Sequence, residues 1–252
     1  MPIVPSVNSC AAVIPCRNEV RTIGKVISRA RHHLPLVIAV DDGSNDGTGR
    51  EAIAAGARIL RGERSQGKGS AMAAGWQEAA RLGFEWVLFM DGDGQHNTRD
   101  IPSFFAVSAT DARLIIGNRM HDTADMPIVR RATNTWMSRR ISNLAGVDIP
   151  DSQCGYRLAH LPSLQDLNLM TQHFEIESEM CIKFARAGHR IAFCNVRVRY
   201  GQERSKIGPI RDAVRWFRWY FKARHQSPES VVSPRTEVSV YRAQTTPLPP
   251  SG

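Results

Sequence analysis

Short apolar runs that end in acidic turns constrain this chain more than any other feature. Ala11–Cys16, Leu36–Val40, Ala57–Leu60 and Glu85–Met90 are too short for buried helices and are bounded by turn-forming residues, so they read as strands. Between them, Arg21–His33, Thr48–Ala55 and Gly69–Arg81 read as helices. Strands and helices that alternate in this way predict an α/β fold with a parallel sheet. Ligands of such sheets sit beyond the carboxyl ends of the strands. Two acidic clusters fall there, Asp41-Asp42 and Asp91 to Asp93, and they are expected to line one cleft.

Further along, Pro127–Leu144 is basic and mostly helical, and Asp151-Ser152-Gln153-Cys154-Gly155-Tyr156-Arg157 forms a turn. A helix over Glu175–Ala187 and a strand over Arg190–Val198 follow. With 252 residues, 42% of them hydrophobic, the chain can bury one substantial core. The organisation expected is one domain over 1–208, an amphipathic basic and aromatic helix over 209–225, and a disordered Ser/Pro/Thr-rich tail over 226–252. There is no internal repeat.

Five cysteines without a C-x-x-C pair, and no secretory leader, point to reduced thiols in the cytoplasm and away from structural zinc. Charges interrupt every apolar run before the roughly 18 residues of a spanning helix, so any membrane contact is expected to be peripheral. The net charge of +9 calls for an anionic partner. From Arg197 to Arg224 there are nine basic residues against two acidic, which concentrates the excess near the C-terminus.

The strongest chemical signal is Asp91-Gly92-Asp93-Gly94-Gln95-His96 at the end of an apolar strand. Alternate oxygens from Asp91, Asp93 and Gln95 can converge on Mg²⁺ or Mn²⁺, which typically use one or two carboxylates plus substrate phosphate oxygens. The plain alternative is a solvated acidic turn. Asp41 and Asp42 could hold a nucleoside, or simply form a turn and cap the helix after Thr48. Gly62-x-x-x-x-Gly67-Lys68 fails as a P-loop because Gly69 stands where Ser or Thr is required, and no G-x-G-x-x-G is present. In Pro209–Arg224, Ile210, Val214, Phe217 and Phe221 form one stripe and Arg211, Arg215, Arg218 and Lys222 the next, with Trp216, Trp219 and Tyr220 widening the aromatic side. Such a helix docks on the core or lies at an anionic membrane surface.

With these residues in view, the chain from about Ala11 to Arg224 resembles the family 2 glycosyltransferases of the branch that includes dolichyl-phosphate mannose synthase. The resemblance rests on Ile14-Pro15-Cys16-Arg17-Asn18-Glu19, Val40 to Thr48, Gly67-Lys68-Gly69, Asp91 to His96 and Gly117-Asn118-Arg119. Asp151 to Arg157, Phe174-Glu175-Ile176-Glu177 and Tyr200 to Ile207 follow in the family's order. It implies a GT-A fold, a Rossmann-like, mostly parallel central sheet flanked by helices, with a C-terminal amphipathic helix. It also implies a nucleotide-sugar pocket drawn from Pro15, Arg17, Glu19, Val40, Asp42, Lys68, Gly92 and Arg119, and a metal held by Asp91, Asp93 and Gln95. Arg17 stands where the family commonly has an aromatic residue, so UDP and GDP donors both stay open.

The implied reaction is inverting transfer of a hexose to a polyprenyl-type lipid phosphate by a peripheral enzyme at the inner membrane face. Asp91, Asp93, Arg119, Asp151 and Lys206 are the catalytic candidates, and Arg130, Arg131, Arg204 and Lys206 the acceptor-binding ones. A phosphate acceptor is already ionised near neutral pH and needs positioning more than deprotonation. A saccharide hydroxyl would instead need a base, for which Asp151 is the first candidate. A different class, a non-catalytic module binding nucleic acid or membrane through its basic segment, sits poorly with the intact Asp91, Asp93 and Gln95 set, and no nucleic-acid partner is expected.

Overall fold

The apolar run at Cys10–Cys16 forms the central strand β1, in which Cys10 through Ile14 have no exposed surface. A strand covered on both faces by helices reads as such a continuous run. The computed structural model describes residues 4–107, 111–198, 209–225 and 242–244. β1 pairs in parallel with β2 (Leu36–Asp41) on one side and β4 (Trp86–Phe89) on the other, and β2 pairs in parallel with β3 (Arg58–Arg61).

The crossovers are α1 (Ile23–Ala30), α2 (Thr48–Ala54) and α3 (Lys68–Arg81). In α1, Ile23, Val26, Ile27 and Ala30 recur at helical spacing and are buried. Each branched aliphatic side chain there contributes about 1.5–3 kcal/mol. The helix ends as the His33 and Leu34 N–H groups fold back onto the Ala30 carbonyl, one residue before Pro35. α3 lies directly on β1 and β2 because Gly75 has no side chain: a Cβ there would collide with Val13 and meet Val40 Cγ2 at 3.2 Å. Gly75→Ala is therefore expected to lose about 1–3 kcal/mol to overpacking, despite alanine's better helix propensity. Urea unfolding with an unchanged m-value checks this.

The far half departs from a purely parallel sheet. β6 (Arg157–His160) inserts antiparallel between β4 and β5 (Leu114–Asn118), and β5 pairs in parallel with β7 (Ile191–Asn195). The reversal has a local cause: the preceding turn, 151–156, sits at the carboxyl end of β4, so β6 starts there and runs back. Among the described residues the order is β7-β5-β6-β4-β1-β2-β3-β8. The last strand, β8 (Arg242–Gln244), falls in the segment expected to be disordered; β3 would otherwise be an edge, and its free backbone groups accept this short antiparallel partner. The rest of that tail lies outside the described residues.

The remaining helices are α4 (Ile101–Ala106), α5 (Ile128–Ala145), α6 (Leu161–Asp166), α7 (Glu175–Arg186) and α8 (Pro209–Arg224). α8 turns inward the face carrying Trp216, Tyr220 and Ala223, while Val214, Phe217 and Phe221, the stripe singled out from the sequence, stay exposed. The Trp216 indole N–H donates to Ser178 Oγ of α7 at 3.1 Å, which satisfies the one polar atom of the docked face's largest side chain. All five cysteines are buried and unbridged, and no described helix is long and apolar enough to cross a membrane.

Candidate functional site

The site begins where β1 and β4 part. Their pairing ends at Val13 and Phe89, whereas β1 and β2 stay paired to Cys16 and Asp41. Val13 O accepts the Met90 N–H on the β4 side, and Cys16 O accepts the Asp42 N–H on the β2 side. By alternation Pro15 faces the side that β4 has left, so its missing N–H breaks no ladder bond. The result is a crevice at the carboxyl ends of β1, β2 and β4. Near these strand ends Pro15 and Glu19 are half-buried, Asp42 and Gly92 are buried and Arg17 is exposed on the loop after β1, whereas Val40 lies inside β2 with no exposed surface.

Asp42 is buried and uses both carboxylate oxygens to hold the loop before α3, accepting from Ser65 Oγ at 2.6 Å, Gln66 N at 2.7 Å and Gly67 N at 3.0 Å. Asp41 still belongs to β2 and accepts the Ser44 N–H at 2.8 Å. Neither caps α2. The N-cap position is Gly47, and Asp46 just before it accepts the Thr48 N–H at 3.0 Å.

Asp91 leaves β4 and meets Lys68, the first residue of α3, at 2.6 Å; the same ammonium pairs with Glu177 of α7 at 2.7 Å. Burial is the largest single influence on Asp91 and opposes its ionisation, but the charge and hydrogen bond of Lys68 together with the charges of His96 and Arg119 outweigh it and bring the carboxyl to about 2. Burial likewise opposes the charge on Lys68, and its two carboxylate partners hold it above its ordinary value. Gly155 makes this convergence possible: a Cβ there would lie 2.9 Å from both Asp91 Oδ2 and Glu177 Oε1. His96 stacks on Tyr156 and accepts the Asp91 N–H through Nδ1 at 3.2 Å, and burial lowers its pKa to about 4, so it is neutral.

Asp93 behaves oppositely. Burial, then the charge of Asp91, raises its carboxyl from 3.8 to about 6, and the Gln95 N–H donates to it at 2.9 Å. The folded chain thus keeps this proton to higher pH than the unfolded one, and the contribution of Asp93 to stability falls as pH rises from about 4 to about 6. In EDTA, Asp93→Asn is expected to melt higher than wild type at pH 7 and to lose that advantage below pH 4. Melting curves across this range check it, and a lower melting point at pH 7 contradicts it.

On the other wall, Arg119 follows β5 and forms a two-point ion pair with Asp151, Nε to Oδ2 at 2.7 Å and Nη2 to Oδ1 at 2.8 Å. Asp151 has no exposed surface and also accepts the Arg119 and Gln153 N–H groups. Burial works against its charge, yet Arg119 holds the carboxyl below its ordinary value. The fully buried Arg157 locks the same turn by donating to Cys154 O and Ser152 O, both at 2.7 Å, and to Glu177 O at 2.5 Å. Beside Arg119, a cavity of about 300 Å³ is lined by Asn97, Arg99, Asp122, Asp125, Arg197 and their neighbours.

Of the expected site residues, the structure brings Lys68, Asp91, Asp93, Arg119 and Asp151 to one end of the sheet. Arg130 and Arg131 open α5, the first half-buried and the second exposed, while Arg204 and Lys206 lie outside the described residues. Glu177, His96, Arg99 and Arg197 had no role assigned from the sequence. Glu177 and His96 carried a signal, their places in the Phe174 to Glu177 and Asp91 to His96 motifs.

Residues 11–167 match the model of glycosyl transferase family 2. The chain is 28% identical to glycosyltransferase AglJ of Haloferax volcanii over 89% of this chain and 75% of that protein. It is also 28% identical to the undecaprenyl-phosphate mannosyltransferase of Micrococcus luteus, over 84% and 94% respectively. Among solved structures, glucosyl-3-phosphoglycerate synthase from Mycobacterium tuberculosis, in complex with Mn²⁺, uridine diphosphate and glucosyl-3-phosphoglycerate, superposes with a TM-score of 0.67 at 23% identity, covering 95% of this chain and 88% of that one. That likeness identifies the GT-A fold, and with the family match it makes the chain a glycosyltransferase belonging to glycosyl transferase family 2.

Proposed function

We propose that the chain transfers a hexose from a nucleoside diphosphate sugar to a polyprenyl-type lipid phosphate, inverting the anomeric carbon, as a peripheral enzyme at the cytoplasmic face of the membrane. The observation that carries the acceptor class is the buried, two-point Arg119–Asp151 pair. A hydroxyl acceptor needs a base, and Asp151 is poorly suited to be one: it is chelated, inaccessible and held ionised by its partner. A phosphate oxygen needs no base, only cations to position it. Arg119, oriented by Asp151, supplies one, and Arg130, Arg131, Arg204 and Lys206 are assigned with it. The Micrococcus relative, named for undecaprenyl phosphate, supports the same class.

A divalent ion fits Asp91 and Asp93. Burial first, and then the charge of Asp91, raises the Asp93 carboxyl, and a cation between the two carboxylates would offset both. Mg²⁺ or Mn²⁺ typically takes one or two carboxylates from the protein and shares the rest of its shell with substrate phosphates and water. Asp91, Asp93 and Gln95 would hold it, and when bound it neutralises charge on the departing diphosphate. Lys68, fixed by Glu177 at the N-terminus of α3, places a second positive charge beside the same group. The crevice from Pro15 to Asp42 is assigned to the nucleoside.

Transfer of radiolabel from a panel of UDP- and GDP-sugars to polyprenyl phosphate, with Mg²⁺, Mn²⁺ or EDTA, tests the proposal. Metal-dependent labelling of the lipid with one donor is expected. Labelling of soluble saccharides alone overturns the acceptor assignment.

A further inference from the structure

A run of hydroxyl and amide groups joins the turn that carries Asp151 to three helices. The Gln153 side-chain amide donates to Ser152 Oγ at 2.9 Å within the turn and to Ser178 Oγ of α7 at 3.1 Å, which uses both of its hydrogens. Ser178 Oγ also accepts the Trp216 indole N–H of α8 at 3.1 Å. On the other side, the Ser152 N–H donates to Ser138 Oγ of α5 at 2.9 Å, and that hydroxyl donates back to Ser152 Oγ at 3.2 Å. Ser138, Ser152, Ser178 and Trp216 are all buried, so these groups satisfy one another in a seam closed to solvent.

The seam ends on the ion pair of the site. The Gln153 N–H donates to Asp151 Oδ1 at 3.2 Å, the same oxygen that receives Arg119 Nη2 at 2.8 Å. A shift of Gln153 therefore moves the carboxylate that orients Arg119. Folding of the turn has a separate support, since Arg157 already holds the carbonyls of Ser152 and Cys154. What the Gln153 side chain adds is direction. We infer that Gln153 is a positioning residue for the transfer: fixed between Ser152 and Ser178, it sets the Asp151 carboxylate and through it the Arg119 guanidinium, and the Trp216 bond makes the docking of α8 part of the same brace. The inference rests on the reading in which Arg119 holds the acceptor. It gives α8 a part in the site although that helix contributes no side chain to it.

Two variants of the full chain test it. Gln153→Leu keeps the bulk of the side chain and removes both amide bonds, and Trp216→Phe keeps a ring in the docked face of α8 and removes the indole N–H. Amide exchange over 151–156, read by mass spectrometry, is expected to quicken by about tenfold or more in Gln153→Leu and in the same direction in Trp216→Phe, with β1 and β2 exchanging as in wild type. At saturating donor, transfer by Gln153→Leu is expected to fall about tenfold with the donor KM unchanged, because a misplaced group slows the reaction without weakening nucleotide binding. In an Arg119→Lys background, where the two-point pair is already lost, the same substitution should cost no more than about twofold. A full tenfold loss there, or wild-type exchange of the turn in both variants, overturns the brace. So does a lowered melting point with an unchanged rate in the folded enzyme, which is the mark of packing alone. Wild type that labels a soluble saccharide and no lipid removes the acceptor assignment, while the exchange and the rate ratios still read the brace.

Discussion

Asp93→Ala is expected to lower glycosyl transfer by about a thousandfold or more while the chain stays folded. Losing one of two carboxylates that would hold the metal removes a large part of the charge stabilisation at the leaving diphosphate. About 4 kcal/mol of lost transition-state stabilisation corresponds to that factor. The fold should not suffer, because Asp93 is half-exposed and its ionisation is opposed by burial and by Asp91. Single-turnover kinetics beside melting curves separate the two effects. A variant that is inactive because it is unfolded, or one that keeps a tenth of wild-type activity, contradicts this account.

Asp151→Ala should act on the fold. The substitution leaves Arg119, which is 6% exposed, with an uncompensated charge against the site wall. Breaking a buried ion pair from one side costs about 3–5 kcal/mol, whereas replacing both members with apolar residues is often nearly neutral. Asp151→Ala is accordingly expected to lose stability in that range, and the double variant Asp151→Leu, Arg119→Met to regain most of it without regaining activity. Denaturant unfolding of the two variants and wild type, with transfer assays alongside, gives the comparison. Wild-type stability in Asp151→Ala would show that the pair does not brace the turn.

Much of the first half of the fold was legible because its signals are local. β1, β2 and β4 are uninterrupted apolar runs, α1 has one clean buried stripe, and the strand ends locate both acidic clusters. β6 was not legible, since Arg157-Leu158-Ala159-His160 looks half polar; its arginine is buried because three carbonyls of the 151–155 turn and α7 satisfy it. The partnership of Lys68 with Asp91 and Glu177 joins three elements distant in sequence, and no spacing rule reveals it. On α8 the apolar stripe was legible but the direction it faces was not: Val214, Phe217 and Phe221 are exposed. Trp216 and Tyr220 dock instead, because the Trp216 N–H finds Ser178 and the rings stack 5.1 Å apart.

The central claim is that the acceptor oxygen belongs to a phosphate already ionised, positioned by Arg119, with Asp151 serving the arginine and not the acceptor. Its most direct test compares a polyprenyl phosphate with the polyprenol of the same length, under the same donor and metal. The account predicts transfer to the phosphate and none to the alcohol, with Asp151→Asn leaving the shape of the pH–rate profile unchanged. Equal transfer to the alcohol, or loss in Asp151→Asn of an acidic limb present in the wild-type profile, contradicts it.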